Sequence, residues 1–193
     1  MEVTVQNIDL TPLANRLKDM EKPVLEASAR GISVMLVKHF RERNKTPNKK
    51  GFPRSNYWSA AADSVTTTPD DGTASVVTIA KEGVRLHWKG GEVKPVKGKN
   101  LAIPADASVA GIWPSEYAGA GGSKTFLAWP KGKRYGFIAE SGAKPLHVLW
   151  WLKESTHHEP EPSVIPAETD MKDAALRAAR SALRAAIRMG KTA

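Results

Sequence analysis

From Val24 to Phe40 the apolar residues Leu25, Ala29, Ile32 and Leu36 recur at three- and four-residue spacing. That is the stripe of a helix with one core-facing side. Upstream, Thr11 offers a hydroxyl cap and Pro12 stands at a first helical position, ahead of Leu13, Leu17 and Met20. Pro23 either breaks this helix or starts a second one, so helices are placed at 12–20 and 23–43. Before them Val3 and Val5 alternate with polar residues, the period of an edge strand over 2–8. After them Arg41 to Arg54 is basic, rich in glycine and proline and without period, and reads as an exposed loop. Ser55 then caps a short helix through Val65, with Trp58, Ala61 and Ala62 as its buried side.

The period changes to two beyond the Asp70-Asp71-Gly72 turn. Thr73 to Ala80 is rich in valine and threonine and predicts a strand. In the stretch Gly83–Ala105, Val84, Leu86 and Trp88 alternate with Arg85 and His87, which predicts a second strand ended by Gly90-Gly91. Leu101 to Ile103 predicts a return strand stopped by Pro104. The connection carries Lys94, Lys97 and Lys99 and reads as a projecting basic loop, more a contact element than a spacer. Residues 106–122 read as loop. Strands are expected at Thr125–Trp129, Tyr135–Glu140 and Leu146–Leu152, joined by Pro130-Lys131-Gly132 and Ser141-Gly142 as antiparallel hairpins. Trp150 and Trp151 are adjacent and so point to opposite faces: one core, the other covered or at a contact surface.

His157 to Pro166, with Pro160 and Pro162, reads as a linker. A terminal helix follows from about Ala167 to Met189, acidic in its first turns and basic later, as the helix dipole favours. Leu176, Ala179, Leu183 and Ile187 make a narrow apolar stripe; Arg177, Arg180, Arg184 and Arg188 make a second at the same spacing. The expected fold is α+β: N-terminal helices packed on an antiparallel β-sheet, with a C-terminal helix after the proline-rich linker. The expected division is a core domain over 1–158 and a linker with a basic amphipathic helix over 159–193.

Composition narrows the function. The 193 residues carry 29 Lys and Arg against 20 Asp and Glu, a formal net charge of +9, which favours an acidic partner such as nucleic acid or an acidic protein surface. There is no cysteine, which removes disulfides, thiolate catalysis and sulfur-ligated zinc. The first residues have no basic region followed by an apolar core, and no run reaches the roughly 18 apolar residues of a membrane span. A protein made in the cytoplasm, with no membrane partner, is expected.

Candidate chemistry is thin. Gly119 to Thr125 contains glycines and Lys124, but Ser123 stands where a phosphate-binding loop needs glycine, and the strand–loop–helix context is missing. His157 and His158 are adjacent, and His39, His87 and His147 sit on separate elements, so no metal site is expected. No serine lies in a nucleophile elbow, and nothing brings Glu116 and Glu140 together as a carboxylate pair. No catalytic residue and no cofactor is assigned. His87, Trp88, Lys94, Lys97, Lys99 and Trp151 are the candidate subunit contacts. Arg177, Arg180, Arg184 and Arg188 are the candidates for DNA or an acidic partner.

In the order of its phrases the chain resembles the virion morphogenesis, or tail-completion, proteins of tailed bacteriophages. The phrases are LVKHFRERN at 36–44, Pro47, Gly51 and Pro53, NYWSAAADSV at 56–65, HWKGG at His87–Gly91, LAIP at Leu101–Pro104, and EPEPSVIP before the long terminal helix. They span most of 23–190. The resemblance implies a small α+β structural subunit and no enzyme. It implies a homo-oligomeric ring, such as a hexamer, at the head–tail junction or tail end, joined to other neck or tail proteins. It places the protein in the virion, and in the host cytoplasm during assembly; the basic charge adds non-specific contact with packaged DNA as a secondary expectation. The rival from another class is a stand-alone basic nucleic-acid-binding protein using the same arginines on phosphate.

Overall fold

In a computed structural model of the chain, the residues described are 11–46, 52, 55–70, 74–96, 98–117 and 124–189. The fold is α+β, with a long N-terminal helix, antiparallel sheets and a C-terminal helix. Contacts divide it into two compact units. One holds α1 (Thr11–Lys45), α2 (Tyr57–Asp63), the hairpin β1 (Val65–Asp70) with β2 (Ala74–Ile79), and α4 (Glu168–Met189). The other holds α3 (Val84–Lys89) and strands β3 (Gly91–Val93), β4 (Leu101–Pro104), β5 (Thr125–Ala128), β6 (Tyr135–Glu140), β7 (Val148–Lys153) and β8 (Thr156–His158).

In the first unit, α1 is one continuous helix where two were expected, and Pro23 lies inside it. Proline removes the bond to the carbonyl four residues back. Asp19 and Pro23 are both exposed, so water can serve that carbonyl. The heptad-like stripe of α1 buries Ala29, Leu36 and Phe40 as expected. Phe40 stacks on Trp58 of α2 with ring centroids 5.8 Å apart, and the Arg43 guanidinium lies 4.6 Å from the Trp58 ring centroid. Ala61 and Ala62 are buried behind them. α4 crosses α1 at small residues. A Cβ placed on Gly31 would stand 2.7 Å from the Ala174 carbonyl oxygen and 2.8 Å from the Ala178 Cβ.

β1 is a strand that the periodicity did not announce. Its sequence, VTTTPD, includes Pro69, which survives because the two-stranded sheet leaves β1 a free edge. Ser64 opens the hairpin: its hydroxyl donates to the Ala61 carbonyl and accepts from the Lys81 N–H.

In the second unit the four-stranded sheet runs β4-β7-β6-β5, antiparallel throughout. Its core is Val109, Leu149 and Trp150, with Ala102, Tyr117 and Ile138 packed against them. Val109 comes from a 3-10 turn (Ala107–Val109) inside the expected loop, capped by the Asp106 carboxylate on the Ser108 N–H.

One expectation is corrected here. The predicted strand at 84–88 is the helix α3. Five residues are too few to separate the periods, since Val84 and Trp88 alternate in a strand yet share a helix face at a spacing of four. Gly83, at φ 86°, starts the turn, the His87 N–H donates to the Gly83 carbonyl, and Gly90, at φ 68°, ends it. The expected proline-rich linker does lead into the C-terminal helix, and it is packed rather than free. β8 pairs with β3, the Glu161 N–H donates to the His87 carbonyl, and Val164 is fully buried after the 3-10 turn Pro162–Val164.

The expected strand at 2–8 and the turn at 71–72 lie outside the described residues, as does half of the 41–54 loop; α1 takes in its first part, to Lys45.

Candidate functional site

The sheet of the second unit presents different chemistry on its two faces. Trp150 is 1 % exposed and sits on the core side, in register with Ile138 and Pro104. Trp151, one residue on, faces the other way, in register with Ile103 and Phe137. Around it the aromatic rings meet edge to face: Tyr135 at 5.6 Å and Phe137 at 6.0 Å from Trp151, and Phe126 at 6.2 Å from Phe137. Such contacts stabilise beyond area alone. Beside this face Phe52, Ile103 and Trp151 help line a groove with Lys153 and Thr156.

The outer edge of the same sheet is β5, which among the described strands pairs only with β6. Phe126 and Leu127 on it are exposed, as are Trp129 just beyond it and Ile112, Trp113 and Leu146 in the loops. Trp129 lies over Gly136, where a Cβ would come within 2.8 Å of the indole, so only glycine admits the ring. An exposed apolar edge strand is a template for another chain unless it is covered.

α3 carries two predicted contacts. Trp88 is partly exposed, and the Lys89 ammonium lies 3.7 Å from its ring centroid. The His87 ring meets the His158 ring edge to face at 4.6 Å, a pairing that sequence spacing did not show. Lys94 pairs with Glu92 at 3.0 Å in an exposed bridge, which holds the Glu92 carboxyl below its usual range. Lys99 is exposed, and Lys97 lies outside the described residues.

Arg177, Arg180, Arg184 and Arg188 are all exposed and line one shallow depression on α4. The apolar stripe of α4, expected to dock on its own domain or on a neighbour, is open within the described residues. Leu176 is 52 %, Leu183 37 % and Ile187 49 % exposed, while the side against α1 is made of Ala174 and Ala178. Small residues give a closer helix approach than leucines would, so α1 takes the alanine side.

One titratable cluster escaped the sequence reading. His147, just before β7, places Nδ1 3.0 Å from Glu140 Oε2 and Nε2 3.3 Å from Asp106 Oδ2. The Tyr117 hydroxyl donates to the other Glu140 oxygen at 3.1 Å. Glu140 and then Asp106 raise the pKa of the imidazole. His147 and then Tyr117 lower that of Glu140. The Ser108 hydroxyl and N–H, and then His147, bring Asp106 down to about 2. A carboxylate on each nitrogen favours the protonated ring, in which both nitrogens donate. The cluster works as a clip tying the end of β6, the start of β7 and the turn after β4. Positions 106, 140 and 147 carry no motif spacing, so only the sheet register brings them together.

Comparison with known protein families, curated proteins and solved structures finds no match to this chain.

Proposed function

We propose that this protein is a structural assembly subunit of a tailed-phage virion, forming a homo-oligomeric ring in the neck or at the tail end. The observation that carries the reading is the apolar surface left open on described elements. The β5 edge with Phe126 and Leu127, the exposed Trp113 and Trp129, and the leucine stripe of α4 all lack a cover among the described residues. Large exposed apolar patches mark association surfaces. The ordered phrases from 36 to 166 support placing that association in a phage particle. In this reading the protein resides in the virion, is made in the host cytoplasm, and meets copies of itself and neighbouring neck or tail proteins. Among the described residues no helix is long and apolar enough to cross a membrane.

Particles made without the protein test this directly. The reading requires that heads and tails fail to join or that tails stay incomplete; normal, infective particles would refute it.

A second reading has its own observation. The four arginines of α4 share one exposed helix face and have no ion pair among the described residues, a footprint that also suits phosphates. A monomer whose DNA affinity falls steeply with salt, and falls further on Arg180→Ala and Arg184→Ala, would favour it.

A further inference from the structure

α4 has three sides. The side of Ala174 and Ala178 meets α1. The opposite side is the exposed stripe Leu176, Leu183 and Ile187. At about 100° per residue, one flank of that stripe carries Asp170, Asp173, Arg177, Arg180, Arg184 and Arg188 in that order. The flank is therefore basic at one end and acidic at the other, where Asp170, Asp173 and Arg177 border a groove shared with Lys38, His39 and Glu42 of α1. None of the six has an ion pair among the described residues, whereas Glu168 and Lys172, on the far flank, already pair with each other at 2.7 Å.

From this we infer that α4 docks on α4 of a second copy of the chain, antiparallel, through the leucine stripe. Charge decides both the occupant and the direction. In an antiparallel pair about a two-fold axis each flank meets the same flank of the other copy, so the acidic end of one lies along the basic end of the other. A parallel pair would set the flank against the far one, whose charges are already used. One register joins the leucines and pairs the charges at the two ends, while Arg177 and Arg180 of the two copies face each other across the axis in exposed, solvent-screened positions. With Leu176 opposite Leu183 of the second copy, Asp173 falls between its Arg184 and Arg188, and Asp170 falls beside its Arg188. A polyanion would meet the arginines but leave the leucines in water and bring Asp170 and Asp173 toward its phosphates. The inference rests on the self-association in the proposed function, pairing copies two by two while a ring needs a further contact, and does not depend on a phage particle.

The absence of native cysteine makes the geometry testable in the full chain. Leu176→Cys and Leu183→Cys proteins, mixed and mildly oxidised, should give far more disulfide-linked dimer than either alone. Asp173→Arg should weaken self-association about tenfold or more by analytical ultracentrifugation, and adding Arg184→Asp should restore most of it, with helix content unchanged by circular dichroism. Either single cysteine variant cross-linking to itself as well as the mixture would overturn the antiparallel register. An oligomer that forms with no cross-link and is indifferent to the charge changes would overturn the α4 contact while leaving the assembly reading standing. A wild-type protein that stays monomeric would remove both. Arginine changes that abolish DNA binding without altering mass would assign the flank to a polyanion and overturn the pairing.

Discussion

Trp150 and Trp151 stand side by side in sequence and do different work. Trp150 is packed under Tyr117, ring centroids 5.3 Å apart, in the core of the second unit. Trp150→Ala should cost about 3–5 kcal/mol, read as a lower urea midpoint. Trp151→Ala, on the half-open aromatic face, should cost roughly 1–2 kcal/mol. His147 sets a pH dependence at the same scale. Its pKa is raised in the folded state, so its contribution is full below the unfolded value near 6.5 and is lost as pH rises through the higher folded value. Asp106 and Glu140 are lowered, so theirs is full above the unfolded carboxylate range and is lost as pH falls, for Asp106 toward about 2. The clip is strongest in mildly acidic solution. His147→Gln should narrow its stability deficit against wild type above neutral pH, measured as urea midpoints; a deficit independent of pH would show that the ion pairs contribute nothing.

Among the elements, the close crossing of α1 and α4 depends on Gly31. Gly31→Ala gains about 1 kcal/mol of helix propensity but must displace a carbonyl and a Cβ, at about 1–3 kcal/mol. Thermal denaturation should show a net loss, and a gain would mean that the helices are less tightly apposed. The elements also show what a sequence can disclose. Tyr135–Glu140 is legible to the residue because two turn signals, Pro130-Lys131-Gly132 and Ser141-Gly142, bound its apolar run. The terminal helix is legible because its period persists for 22 residues. α3 was misread because its window was short, and β1 passed unseen because threonines and a proline carry no apolar period. For α4 the sequence locates the stripe and leaves open whether it docks on its own domain or on a neighbour. Periodicity identifies an apolar side, not which neighbour is close, and α1 meets the alanines. The His147 clip was beyond reach because its members meet only through the hairpin register.

At the scale of the whole molecule, both units leave apolar elements open: the leucine side of α4 in one, the β5 edge and its tryptophans in the other. Contacts that last bury on the order of 1,000 Å² or more, so more than one of these surfaces should be covered in the assembled state. Leu127→Lys on β5 should weaken assembly by blunting the edge while leaving the urea midpoint nearly unchanged, because that side chain is already in water. The most direct measurement is the native mass of the purified full chain across protein concentration and salt. The account predicts one closed oligomer of defined mass that persists in salt, and a monomer at every concentration would contradict it.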